Sequence, residues 1–194
     1  IKMVKKRYED RKVVGEDTLS KILMDKDNLI EHFPQPSDQK YWVKMPAEKE
    51  WNALLNELWW IQTYVAKGLW RKELPYAKYM YDVILMNAIR QLLSWQIGFS
   101  HQWQINVGKC GKFFARLLPD DVYERFIRLY ASGDYAEIWD KLFEAGKLIR
   151  DIGRELGENL GYKYPLKDDQ NVTDFIKRIR LTPRDAGHIV ANNS

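Results

Sequence analysis

From Ala47 to Arg180 the apolar residues recur at three- and four-residue intervals, and this property most constrains the fold. In the first run Trp51, Leu54, Leu55, Leu58, Val65 and Leu69 share one helix face, and Gly68 falls near its end. A second helix is expected from about Lys72, with Pro75 tolerable only in its first turn. It carries Met80, Tyr81, Ile84, Leu85, Ala88, Leu92 and Trp95 and stops at Gly98. Phe99 to Gly111 is polar and irregular, and a short helix over Lys112 to Leu117 follows it. Another starts at Pro119-Asp120, runs through Tyr123, Phe126, Ile127 and Tyr130, and is broken by Ser132-Gly133. Asp134 and Glu137 resemble a capping box for a helix bearing Ile138, Trp139, Leu142, Ile149, Ile152, Leu156 and Leu160, which Gly161 ends. A last helix is expected from Asn171, with Asp174 in its first turn, to just before Pro183. The expectation is a mainly α fold, a bundle of about five helices.

Residues 1–46 do not follow this pattern. Ile1 to Lys12 is charged, Val13-Val14 could close a short strand, and Thr18 to Leu23 could form a turn or two of helix. Asp25 to Met45 reads as a loop, with Pro34 and Pro36 in it and Pro46 at its end. The expected division is a short irregular or α/β segment, 1–46, and a helical domain, 47–194. Ile1 is not an initiator residue, so the chain is expected to begin inside a longer protein. The tail Asn192-Asn193-Ser194 is expected to fray.

Composition narrows the function classes. Apolar residues make up 45% of the 194 and charged residues 30%, a water-soluble balance. No apolar run approaches the roughly 20 residues that span a bilayer. The single Cys110 excludes an internal disulfide and fits a reducing cytoplasm. A net charge of +4 permits a polyanionic ligand such as a nucleoside triphosphate, and equally RNA. No phosphate-binding GxxxxGK[ST] loop, GxGxxG, HExxH or GxSxG occurs. His32, His101 and His188 are scattered, and Arg184 stands too close to His188 for the Arg-x(4–6)-His pattern of helical ribonucleases.

Candidate binding residues concentrate between Trp59 and Asp82. This stretch holds three tryptophans, four tyrosines, four cations and two carboxylates. Rings beside mixed charges suit a ligand with apolar faces and charged groups, such as a nucleotide or an aminated sugar. Lys67, Arg71, Lys72 and Lys78 bracket the helix junction, where free N–H groups add positive character. They form either a triphosphate-facing patch or a solvated rim. Lys109 and Lys112, set among Gly108 and Gly111, form either a phosphate-approaching loop or a connecting turn. Glu73 and Asp82 are nine residues apart and can share one side of the second helix, although Asp82 could equally pair with Lys78.

Four blocks resemble the aminoglycoside 6-adenylyltransferases, the streptomycin-modifying enzymes. They are Asp17 to Asp27, Trp59 to Asp82, Val107 to Phe113, and Tyr162-Lys163-Tyr164-Pro165 with Asn171-Val172-Thr173. The resemblance implies the C-terminal helical domain of such an enzyme, preceded by a connecting segment or the end of its nucleotidyltransferase domain. It implies ATP and magnesium in the intact enzyme, an aminoglycoside substrate, a cytoplasmic setting and no nucleic acid or membrane partner. It makes Lys67, Lys72, Lys78, Lys109 and Lys112 candidates for the nucleotide. Glu73 and Asp82 become candidates for the drug's guanidinium groups, with Trp59, Trp60 and Trp70 as walls. The family's Gly-Ser turn followed by an Asp-x-Asp metal pair does not occur, so no metal ligands and no catalytic residue are assigned. The alternative is a non-catalytic helical module that binds nucleotide, RNA or protein.

Overall fold

In a computed structural model the described residues are 18–21, 26 and 35–183. The expected strand at Val13-Val14, residues 22 and 23 of the expected Thr18 to Leu23 helical turn, and the terminal tail lie outside them. Thr18 and Leu19 form a turn, and the Thr18 carbonyl accepts a hydrogen bond from the Ser37 amide at 2.7 Å.

No strand occurs among the described residues, and the architecture is an α-helical bundle. Helix α1 spans Glu48–Trp70. Its first amide, at the Ala47 cap, is satisfied by the Glu50 carboxylate at 2.8 Å. The next rod is continuous but changes pitch, as α2 (Leu74–Lys78) passes into a π-helix (Tyr79–Leu85) and then α3 (Met86–Ser100). Pro75 falls in the first turn of α2, where its missing N–H costs nothing. Short helices α4 (Phe114–Leu117) and α5 (Asp120–Ile127) turn the chain into the long α6 (Tyr135–Leu160), and α7 (Leu166–Leu181) packs back on α1.

Three local expectations are corrected. Gly98 does not end α3, which runs on to Ser100. Its bare Cα instead admits Trp103 and Val43, because a Cβ there would lie 2.6 Å from the Trp103 ring. Helix α7 starts at Leu166 rather than Asn171. Pro165 stands at its N-cap, and Asp168 and Asp169 occupy the first turn, where carboxylates suit the positive end. Asp134 caps α6 by accepting from the Glu137 amide at 2.8 Å, but Glu137 does not return the bond. Its carboxylate takes the Ser132 amide and hydroxyl instead.

The core forms where α1 meets α6, α7 and the π-helix. Trp51, Leu55 and Trp59 of α1, with Leu58 and Val65, are buried against Ile149, Ile152 and Ile176. Trp51 also donates to the Lys163 carbonyl at 3.1 Å, and the Tyr162 hydroxyl donates to the Pro46 carbonyl at 3.1 Å. The start of α1 is thereby tied to the α6–α7 turn.

Candidate functional site

The end of α1 determines how the candidate side chains are displayed. The Lys72 amide donates to Leu69 O at 3.1 Å, and the Glu73 amide donates to Gly68 O at 2.9 Å. This pair of bonds is a Schellman motif. It requires the left-handed conformation at Lys72, whose φ is 59° although it is not glycine. Tyr76 and Ala77 then press onto Gly68, where a Cβ would approach Tyr76 to 3.0 Å. Lys72 and Glu73 are left exposed at the apex, and Glu73 has no ion pair among the described residues.

Spacings of four, three and four place Trp60, Tyr64, Lys67 and Arg71 on one face of α1, leading to that apex. Trp60 is 53% exposed and meets Tyr64 edge-on at 5.7 Å. The Lys67 ammonium lies 4.5 Å from the Tyr64 ring centroid, a cation–π contact. Trp70, half-buried, donates to Thr182 O at 3.0 Å and fixes the end of α7 to this corner. Trp59 belongs to the core, at 1% exposure. Its indole nitrogen approaches the Tyr164 hydroxyl without reaching hydrogen-bond geometry.

Lys78 is committed to the fold. Its ammonium meets Asp82 at 2.9 Å, Ala131 O at 2.6 Å and Ser132 O at 3.1 Å. Three acceptors use all three donors of an ammonium, so a phosphate at Lys78 has to displace one of them. Asp82 sits on the π-helix, where the widened turn alters the register of every following side chain. On the inner side of that element Tyr81 is fully buried and donates to Leu129 O at 2.7 Å. Burial first, then the nearby Asp82 charge, pushes its hydroxyl well above the ordinary tyrosine range.

The five candidate lysines fall into two groups. Lys67, Lys72 and Lys78 surround the α1–α2 corner. Lys109 and Lys112 follow Val107, which lines a cleft with Gln91, Ser94 and Trp95. Gln91 stands 13 residues along the rod from Lys78, roughly 20 Å at the helical rise. The Lys112 ammonium lies 4.8 Å from the Phe113 ring centroid, and the Arg116 guanidinium 3.9 Å from it. Cys110, exposed, adopts a φ of 57° between Gly108 and Gly111.

One cluster escaped the sequence reading. Asp169, 1% exposed, receives the Nε and Nη2 of Arg150, the Tyr164 hydroxyl at 2.9 Å and the Thr173 hydroxyl at 3.2 Å. Arg150 also donates to Thr173 at 3.1 Å and lies 5.8 Å from the Trp59 ring centroid. Burial and the bond to Asp169 push the Tyr164 hydroxyl upward. Arg150 and Asp169 are 19 residues apart, so no local spacing announces the pair. Among the described residues no three His, Cys, Asp or Glu side chains are grouped to hold a metal ion, and no helix is long and apolar enough to cross a membrane.

The family model described as streptomycin adenylyltransferase matches residues 2–179. The aminoglycoside 6-adenylyltransferase of Bacillus subtilis (strain 168) is 34% identical over 164 residues, covering 84% of this chain and 57% of the relative. That of Campylobacter jejuni is 33% identical over 163 residues, covering 84% and 56%. The crystal structure of an aminoglycoside 6-adenyltransferase from Bacillus subtilis superposes with a TM-score of 0.68 at 31% identity, covering 81% of this chain and 59% of that one. The chain thus spans a little over half the length of these relatives, and it belongs to the streptomycin adenylyltransferase family.

Proposed function

We propose that the chain is the helical part of an aminoglycoside adenylyltransferase that moves AMP from ATP to a hydroxyl of a streptomycin-like drug in the cytoplasm. The family match over residues 2–179 is the observation that carries this reading. In the transfer the drug's hydroxyl oxygen bonds to the α-phosphorus, the bond to pyrophosphate breaks, and the hydroxyl proton passes to a base.

The chain's own residues bind and orient. Glu73 takes a guanidinium of the drug through paired, charge-assisted hydrogen bonds, since it stands exposed and uncommitted at the Schellman apex. Asp82 is its partner across the corner, with one oxygen already facing Lys78. Trp60 is the exposed wall, with Tyr64 edge-on against it, while Trp70 fixes the end of α7 at the corner and Trp59 lies in the core. Lys67 and Lys72 attract the phosphates as mobile point charges, joined by Lys78 when it releases one of its acceptors. Lys109 and Lys112 act on the nucleotide only if domain closure brings it to their end of the rod. The magnesium expected of the family does not fit the described residues, because no carboxylate cluster is present among them. Asp25 and Asp27 have the Asp-x-Asp spacing, but no Gly-Ser turn precedes them and both lie outside the described residues.

The test is calorimetric titration of streptomycin and ATP into the full-length parent enzyme and its Glu73→Gln and Asp82→Asn variants. Loss of a carboxylate bound to a guanidinium costs about 2–5 kcal/mol. Tenfold or greater weakening for streptomycin, with ATP affinity nearly unchanged in Glu73→Gln, is the expected result. Unchanged streptomycin affinity in both variants removes these residues from the site.

A further inference from the structure

A second cavity, of about 190 Å³, lies between α1, α6 and α7 and is lined in part by Gln62, Phe143, Gly146, Lys147, Arg150 and Lys177. We propose that it binds a small aromatic acid that carries a hydroxyl or N–H donor on its ring. The proposal does not depend on the adenylyltransferase reading, and no candidate drug or nucleotide residue lines this cavity.

Three features set the chemistry. The first is the polar floor. Gln62 is 1% exposed on an otherwise apolar helix face. Its amide nitrogen donates to Leu58 O at 2.8 Å, while its amide oxygen has no donor among the described residues. A ring donor placed there gives that oxygen the partner it lacks within the fold. The second is space. Gly146 has no side chain, and a Cβ there would stand 3.3 Å from the Gln62 oxygen and 3.8 Å from the Trp59 ring. An apolar cavity of about 150 Å³ accepts one benzene ring. The larger volume here therefore suits one ring with one or two substituents, packed against Phe143.

The third feature is the charge at the rim. No carboxylate lines the cavity among the described residues. Lys147 is exposed and has no ion pair among the described residues. Lys177 reaches Asp174 only at 3.5 Å. Arg150 commits Nε and Nη2 to Asp169 and Thr173 and keeps Nη1. A ring carboxylate meets these cations while the opposite ring substituent donates to Gln62.

The experiment is calorimetry on the 194-residue chain with 4-hydroxybenzoate, benzoate and 4-hydroxybenzyl alcohol, the latter two lacking the donor and the anion respectively. The expected result is at least tenfold tighter binding of 4-hydroxybenzoate than of either comparator. Gly146→Ala, which fills the space while raising helix propensity, abolishes binding. Lys147→Ala, an exposed change that leaves the fold intact, weakens it about tenfold. Gln62→Leu brings 4-hydroxybenzoate down to the level of benzoate. Circular dichroism melts establish that each variant is folded. Absence of 4-hydroxybenzoate binding at millimolar concentration overturns the proposal. So does equal binding of all three compounds, or binding that survives both Gly146→Ala and Lys147→Ala.

Discussion

Lys72 is where backbone conformation and side-chain chemistry pull apart. A left-handed residue is required to close the Schellman motif, and glycine meets that requirement with least strain. Lysine instead carries an exposed charge to the apex, where the nucleotide role is proposed for it. Lys72→Gly is accordingly expected to stabilise the fold by about 0.5–1 kcal/mol while weakening ATP binding in the parent enzyme. A urea midpoint that fails to rise would show that the turn is not strained. The Arg150–Asp169 pair has the opposite character. Asp169 is buried, so removing its partner leaves a carboxylate with only hydroxyl donors. Arg150→Met should cost about 3 kcal/mol, read as a fall in the urea midpoint. Tyr81 gives a pH test. Its folded-state pKa is raised above the ordinary value of 10.0 by burial. Below pH 10 both states keep the proton and the contribution is constant. Above it the unfolded chain releases the proton first, so stability falls by up to about 1.4 kcal/mol per pH unit from this group. Tyr164 is raised by the same first cause and acts in the same direction. Urea midpoints at pH 8 and pH 11 measure the effect, and Tyr81→Phe should reduce the slope. Little of this was legible in the sequence. A carboxylate in the run Lys167-Asp168-Asp169-Gln170 looks solvated until a distant arginine is folded onto it.

At the scale of elements, α1 and α6 fit as large side chains against small ones. Trp51, Leu55 and Trp59 face Gly157, Gly153 and Gly146 in antiparallel order. Glycine costs about 1 kcal/mol of helix propensity at each position, which the close approach of the tryptophans offsets. The contacts are not equal. At Gly157 a Cβ would stand 3.1 Å from both the Trp51 ring and the Tyr162 carbonyl, and that carbonyl is backbone held by the turn. Gly157→Ala should therefore destabilise by about 1 kcal/mol despite its better propensity. A thermal melt that rises would show that α1 can shift to make room. Helix existence was readable because amphipathic periodicity is local: α1, α6 and the Gly161 stop of α6 follow the sequence pattern. Two boundaries were misread because the deciding contact is remote or the signal competes. Gly98 serves Trp103 rather than a helix end, and Pro165 outranks Asn171 as a start. The π-helix over Tyr79–Leu85 leaves the same apolar spacing as an α-helix across so short a run, so periodicity passes over it.

At the scale of the whole molecule, the sequence revealed the class and the family, while the geometry of the site depended on tertiary placement. Trp59 and Trp60 are neighbours in sequence, yet one is core and the other 53% exposed. Lys67 and Lys112 look alike in composition, yet they belong to opposite ends of the helical rod. The chain spans 57% of the B. subtilis relative, and the family's Gly-Ser turn with its following Asp-x-Asp pair is not within it. Binding and chemistry should therefore separate. The purified 194-residue chain, given ATP, magnesium and streptomycin, is expected to transfer no AMP, because nothing described in it gathers the carboxylates that such a transfer requires. It should still bind streptomycin weakly through the Glu73 corner, with affinity falling as salt is raised, since the contact is between exposed charges. Radiolabelled AMP transfer measures the first expectation and calorimetry at two ionic strengths the second. Turnover by the chain alone would point to a metal site built on Asp25 and Asp27, and Asp25→Asn with Asp27→Asn would then abolish it. Turnover that survives both substitutions would place the catalytic carboxylates elsewhere in these 194 residues and overturn the division of labour proposed for the two halves of the enzyme.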